Sequence, residues 1–357
     1  MLALRKTRAA FGVELADVPT PAAPAHDGDA LIEIAAAGIC GSDLHAYAWT
    51  DSYAFMADLL PVTIGHEFAG TVRAVGPSVT GLAVGDRVVC MPTITCGTCA
   101  GCRAGRPLEC DARSIVGLHR DGAFAGSVSL PAANCLRLPD GLPFEAAALA
   151  EPLAVGINAV NLAEVEPGDA VVVMGPGPIG MGAAWVAHHR GARVLLVGLN
   201  DPVRLTRARD MGLTNLADLA NETLEAAIGR VFGRRPDRMI EASGAAASLD
   251  QGVPLLRPGG LFVVSGIHKG SYNLDLTRFV REKKQLRAAH DSTPDGFAEA
   301  LRLLQANTEV LSRLITHREP LARGVDAMAC ASGGQAVKVL LLPHDETQQD
   351  ETQGADV

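Results

Sequence analysis

The chain has 357 residues, 48% hydrophobic and 20% charged, with a net charge of −9 at pH 7. At roughly 100–200 residues per domain this length predicts two domains with sizeable cores, and the acidic balance excludes nucleic acid and anionic membrane surfaces as natural partners. The first ten residues, MLALRKTRAA, lack an apolar signal core, and runs such as AVVVM and VLLV fall far short of the ~18 residues of a membrane span. The expectation is a soluble, cytoplasmic protein.

Residues 1–150 read as β-rich. Short runs such as ALIEIAAAG, GTVRAVG and DRVVCM are separated by Gly, Pro and Asp turns. Within this part GICGSDLH supplies Cys40, Ser42, Asp43 and His45, and GHEFAGTVRAVG supplies His66 and Glu67. Cysteine, histidine and carboxylate together suit zinc with an open coordination position. Taken singly, Cys40 also reads as a packing residue and His66 as a satisfied core or surface histidine.

Of eight cysteines, four crowd into one loop as Cys96-x2-Cys99-x2-Cys102-x7-Cys110. Without an export signal this points to metal rather than disulfides. Four thiolates this close can enclose one tetrahedral zinc ion and leave no position for substrate, so the site reads as structural. Free thiols or a redox pair are the plainer reading.

Near residue 150 the pattern changes. The apolar runs AVVVM, RVLLVG, RMIEASG and GGLFVVSG alternate with helical stretches, as in βαβ units around a parallel sheet. Gly175-Pro-Gly177-Pro178-Ile179-Gly180 follows the first of these strands and opens a helix. That context marks a dinucleotide fingerprint, with pyrophosphate received at the helix N-terminus. A Gly-rich turn in a nucleotide-free protein is the alternative. An acidic residue is expected at the end of the second strand to hold the ribose 2′-OH, yet Gly198-Leu199-Asn200-Asp201 stands there. Asn200 or Asp201 is a candidate substitute. Arg204 is either a partner for the 2′-phosphate of NADP or a solvated helix arginine, so NAD is favoured only slightly. From about 294 one helix (PDGFAEALRLLQ) and the strand-like QAVKVLLLP follow, and the acidic tail 346–357 is expected to be disordered.

With GICGSDLH, GHEFAGTVRAVG, GDRV at 85–88, the four-cysteine loop and the glycine fingerprint all in order, the chain resembles the zinc-containing medium-chain dehydrogenase/reductase family, over about residues 25–345. EPLAVGINAV is similar to the sorbitol (polyol) dehydrogenase branch, and ITHREPL, VDAM and AVKVLL to both the sorbitol and threonine dehydrogenase branches. The resemblance implies an α/β fold in two parts. One is a GroES-like β-rich catalytic domain over 1–154 and 291–345, with a structural zinc loop at about 90–113. The other is a Rossmann doubly wound parallel-sheet domain over 155–290, with the active site in the cleft between them.

The resemblance also implies roles. Cys40 and His66 are catalytic zinc ligands, with Glu67 or Glu151 as the third. Asp43 orients the ring of His66, or is only a cap. Ser42 takes the substrate proton and His45 relays it, unless either is merely structural. Ser243, Ser265 and Gly266, in EASG and VVSG, join Leu199 and the fingerprint in lining the cofactor site. Tyr47, His119 and His290 are possible pocket residues; Ala125-Gly126-Ser127 replaces a Glu-Tyr found in relatives, so the substrate wall does not carry over. The implied activity is hydride transfer between a polyol or other secondary alcohol and NAD(P), with two zinc ions per chain and a homotetramer or homodimer. Oxidation of threonine-like amino alcohols is second. A zinc hydrolase has no use for the fingerprint, and a non-catalytic redox sensor predicts lost ligands, whereas all are present.

Overall fold

The computed structural model describes residues Met1–His344, so the 346–357 tail expectation lies outside the described residues. The chain divides into two compact units: Met1–Leu149 with Ile315–Gly333 and the chain from Lys338, and Ala150–Leu314 with Gly334–Val337.

The first unit is built mainly on antiparallel strands, with one parallel pair, Ile315–Pro320 beside Lys338–Leu342. Leu2–Lys6 pairs with both Glu14–Asp17 and Val62–Thr63. The larger sheet runs, in spatial order, Cys135–Arg137, Arg87–Cys90, Glu67–Val75, Asp29–Gly38, Lys338–Leu342 and Ile315–Pro320, with Ser127–Pro131 also paired to Asp29–Gly38. Asp29–Gly38 is the central strand, which is why DALIEIAAAG is apolar nearly throughout rather than alternating: most of it is buried. Its register sets Gly38 opposite Glu67 on one side and Leu340 on the other. The C-terminal strand is thereby brought beside the GHE segment.

The second unit is a six-stranded, wholly parallel sheet in the spatial order Leu216–Asp218, Arg193–Gly198, Ala170–Met174, Arg238–Glu241, Leu261–Val264, Gln285–Ala288. Every residue of AVVVM is buried, as a central parallel strand requires. Sequence reading found the four apolar strands and missed the two edges. Leu216–Asp218 has three residues, and Gln285–Ala288 is largely exposed, so neither presents a buried apolar run.

The domain boundaries need correction. The division falls between Leu149 and Ala150 rather than after 154, and 291–314 belongs with the parallel sheet. The reason is packing: the Pro294–Ala306 helix turns Phe297, Ala300, Leu301 and Leu304 onto one buried stripe and lies against the Ala150–Leu162 helix. Among the described residues no helix is long and apolar enough to cross a membrane.

Candidate active site and metal centres

Cys40 stands at the N-cap of the Gly41–Ala48 helix, and His66 directly precedes the Glu67–Val75 strand. Although 26 positions apart, Cys40, His66 and Glu67 place one sulfur, one ring nitrogen and one carboxylate oxygen within 4.8 Å of one another. Asp43 joins the two segments. One of its oxygens accepts from the Cys40 N–H at 2.9 Å, and the other accepts from the Gly65 N–H at 3.3 Å and lies 3.5 Å from His66 Nδ1. Asp43 is therefore both a cap and the carboxylate behind the histidine; the two readings were not exclusive. With Nδ1 facing a carboxylate, Nε2 is the nitrogen left for a metal. Burial alone would lower the His66 pKa, but the charges of Asp43 and Cys40 outweigh it and hold it well above its ordinary value. A site so rich in negative charge around a buried ring suits a cation, and sulfur, nitrogen and carboxylate are donors that zinc accepts.

Glu67 has a partner that sequence reading missed. The buried Lys338 ammonium donates to both of its oxygens, at 2.8 and 2.5 Å, and to the Ile39 carbonyl at 2.8 Å. The Glu67 carboxylate is thus shared between the metal group and a cation. Glu151 lies in the first turn of the Ala150–Leu162 helix and is buried.

Ser42 Oγ is 3.1 Å from His66 Nε2. His45 Nδ1 is 3.1 Å from Thr50 Oγ1, which is 3.1 Å from Ser52 Oγ at the exposed surface. Thr50 and Ser52 extend the expected relay and were not foreseen. Tyr53 was also missed. Its ring stacks on His45 at 5.3 Å, and burial, reinforced by Cys40, raises its phenol above the ordinary range even though Ser42 is a hydrogen-bond partner. Phe55 then stacks on His119 at 4.9 Å, while Tyr47 packs on Phe11 at 4.6 Å. His290 is half exposed and paired with Asp291 at 3.0 Å.

In the second metal group Cys96, Cys99, Cys102 and Cys110 bring four sulfurs within 4.8 Å of one another. Backbone N–H groups are aimed at the sulfurs: Cys99 to Cys96 at 3.3 Å, Cys102 to Cys99 at 3.5 Å, and Cys96 to Cys110 at 3.3 Å. The Thr98 hydroxyl and the Thr98 and Cys99 amides pull Cys96 down to about 6, whereas desolvation and neighbouring thiols push Cys102 up to about 11. Four sulfurs gathered this closely are a fitting shell for a dication.

In the parallel-sheet unit a cavity of about 960 Å³ lies beyond the carboxyl ends of the strands, lined by Gly175, Gly177, Leu199, Arg204 and Ser243 among others. Pro178, Ile179 and Gly180 form the first turn of the Pro178–His189 helix, whose N-cap is Gly177. A Cβ at Gly180 would collide with the Gly175 carbonyl oxygen, so the turn admits only glycine there. At Gly198 a Cβ would sit tightly against the Pro176 ring, at 3.0 Å. Asn200, Ser265 and Gly266 are outside the cavity lining. Asn200 adopts a left-handed conformation and donates its N–H to Asp218, and Ser265 and Gly266 donate theirs to the Glu241 carbonyl. Arg204 is already engaged, by the Ala336 carbonyl at 3.0 Å and Asp201 at 3.4 Å.

Comparison with known proteins agrees with this arrangement. The family described as alcohol dehydrogenase GroES-like domain matches residues 26–140, and zinc-binding dehydrogenase matches 178–306. The chain is 34% identical to L-galactonate-5-dehydrogenase of Escherichia coli K12 (86% of this chain, 87% of that one). It is 33% identical to sorbitol dehydrogenase of Halalkalibacterium halodurans (97% and 100%) and 34% identical to L-threonine 3-dehydrogenase of Escherichia fergusonii (96% and 99%). Among solved structures it superposes on a zinc-binding dehydrogenase of Sinorhizobium meliloti bound to NADP (28% identity, TM-score 0.84, 96% and 99%). It also superposes on an alcohol dehydrogenase of Escherichia coli with NADH (25%, 0.86, 96% and 99%). A parallel-sheet nucleotide unit and a β-rich unit with two metal-donor groups define a zinc- and dinucleotide-dependent oxidoreductase. The chain belongs to the zinc-containing medium-chain dehydrogenase/reductase family.

Proposed function

We propose that the protein oxidises a secondary alcohol of a polyol or sugar alcohol with NAD. The observation that carries this reading is Ser42 Oγ at 3.1 Å from His66 Nε2, a hydroxyl beside the nitrogen left for a metal. Cys40 and His66 would hold the catalytic zinc, with Glu67 or Glu151 as the third protein donor. Cys96, Cys99, Cys102 and Cys110 would hold a second, structural ion. When bound, zinc supplies a Lewis acid that acidifies the substrate hydroxyl, and the nicotinamide supplies the hydride acceptor.

The chain's own residues would do the rest. Ser42 takes the hydroxyl proton, and His45 passes it to Thr50 and Ser52 at the surface. Asp43 holds the His66 ring in the tautomer that leaves Nε2 free. Carboxylate rather than thiolate as the third donor makes a more polar site, which favours a chelating polyol. The wall of the nucleotide cavity carries Asp201, Glu222, Glu225 and Asp250 against one cation, Arg204, which is already paired. Asp201 and Glu222 are themselves paired, with Arg204 and Arg230, and the remaining Glu225 and Asp250 disfavour a 2′-phosphate and support NAD over NADP.

L-Threonine is the second reading, supported by a relative at 34% identity, against 33% for the sorbitol dehydrogenase. A homotetramer, or a homodimer, in the cytoplasm completes the proposal. Initial rates at 340 nm with sorbitol, other polyols and L-threonine, each with NAD and NADP, test it. A polyol with NAD is expected to give the highest kcat/KM. Threonine as the sole substrate would replace the polyol reading, and no turnover of any alcohol would contradict both.

A further inference from the structure

Two cysteines outside both metal groups face each other. Across the antiparallel pair Arg87–Cys90 and Cys135–Arg137, Cys90 is directly opposite Cys135. The backbone bonds Met91 N–H to Asn134 O and Leu138 N–H to Arg87 O, both 2.8 Å, fall on alternate residue pairs. Cys90/Cys135 is therefore a non-hydrogen-bonded pair, the kind whose Cα atoms come to ~4.5 Å and whose side chains lie closest. That spacing is within the ~4.4–6.8 Å of disulfide-linked residues. The two sulfurs are 3.6 Å apart.

The pair is asymmetric: Cys90 is buried and Cys135 is partly exposed. Burial, with the Cys135 sulfur beside it, pushes the Cys90 thiol well above its ordinary range. An oxidant arriving from solvent therefore meets Cys135 first, and Cys90 waits behind it. The location gives the pair a role. Residues 91–134 leave and return between these two cysteines and include the whole four-cysteine loop. Asn134 already ties the root of this segment, donating its side-chain amide to the Met91 and Thr93 carbonyls at 2.9 and 2.8 Å.

We propose that Cys90 and Cys135 form a hydroperoxide-oxidisable dithiol that closes to a disulfide at the root of the metal-loop segment. The Cys135 thiolate sulfur attacks the peroxide, the O–O bond breaks, a sulfenic acid forms, and the released oxyanion takes up the proton that the Cys135 thiol gave up, leaving as water or an alcohol. The Cys90 sulfur then attacks the Cys135 sulfur, the S–OH bond breaks, and the S–S bond forms. The hydroxide leaves with the Cys90 proton as a second water. Two sulfurs together lose two electrons to one peroxide bond. Closure traps Cys135 before it reaches the irreversible sulfinic state and constrains the loop that carries the second metal group.

The test uses the full-length, zinc-loaded protein. It is treated with hydrogen peroxide while folded, digested without reductant and examined by mass spectrometry. A peptide linking Cys90 to Cys135 is expected to become the main form of both residues and to revert to thiols with dithiothreitol. In Cys135→Ser the linked peptide is lost and Cys90 stays reduced. Should that variant fold poorly, differential alkylation of the unaltered protein decides the matter. Joint loss of label at Cys90 and Cys135 supports the pair. Sulfinic acid on Cys135 beside an unmodified Cys90, or Cys90 linked instead to a cysteine of the 96–110 loop, overturns it.

Discussion

Lys338 Nζ donates to both oxygens of Glu67, at 2.8 and 2.5 Å, inside the first unit where neither side chain reaches solvent. Sheet register explains the meeting. Glu67, Gly38 and Leu340 lie in one row across three strands, and Gly38 has no side chain to separate the carboxylate from the ammonium. A Cβ at 38 would run into the Glu67 carboxylate. Glu67 thus meets the metal group already held in position by Lys338.

Removing only the cation should therefore be costly. Lys338→Met leaves a buried carboxylate unpaired and is expected to lower stability by about 3–5 kcal/mol. Pairing it with Glu67→Gln should recover part of that loss. Urea unfolding of the two single variants and the double variant measures the coupling; strict additivity would show that the pair contributes nothing to stability.

Ser42→Ala should lower kcat by roughly 10²-fold or more, the scale of a lost proton-transfer group, with zinc content unchanged. Ser42→Thr should keep part of the activity. His45→Gln should have a smaller effect, because water can substitute for a relay group nearer the surface. Steady-state pH profiles separate these cases; an unchanged kcat in Ser42→Ala would remove Ser42 from the chemistry.

Cofactor preference follows from the acidic cavity wall. NAD should be preferred to NADP by at least about tenfold in kcat/KM, equivalent to ~1.4 kcal/mol. Fluorescence titration with NADH and NADPH checks the binding side directly. Equal affinities would mean that Arg204 leaves Asp201 and Ala336 to meet the extra phosphate.

Acid should weaken the parallel-sheet unit through Asp237. Its carboxylate accepts from Arg234 and Arg257, both at 2.6 Å, and from the Ala170 N–H at 2.8 Å. Desolvation opposes ionisation, but these donors prevail and hold it far below the ordinary carboxylate range. The unfolded chain binds this proton more readily, so the stabilisation is complete above pH ~4 and fades as pH falls toward the folded value. Asp237→Asn should be destabilised at pH 7, and the gap should narrow from pH 4 downward. A gap independent of pH in urea titrations would assign the loss to packing instead.

What was legible in the sequence was local. The four cysteines and the glycine fingerprint each fall within fifteen residues, so spacing alone expressed their geometry. Cys40, Asp43 and His66 were legible through their motifs, and the structure adds that Asp43 serves as both cap and histidine partner. Lys338 was not legible. It lies 271 positions from Glu67, and nothing in AVKVLL marks its ammonium as buried. Tyr53 and Thr50 were missed because a 3-10 turn at Asp51–Leu59, which has no apolar periodicity, carries the chain back over His45. The absence of an acid at 198 was visible, but the tight contact of that position with the Pro176 ring required the fold.

Zinc content is the most direct test of the central claim that one ion serves chemistry and another serves structure. Elemental analysis of protein purified without chelators should give two zinc ions per chain. Cys40→Ser should retain one and lose alcohol oxidation at 340 nm, while its NADH affinity stays intact. Full zinc content in Cys40→Ser, or undiminished oxidation after its loss, would contradict the account.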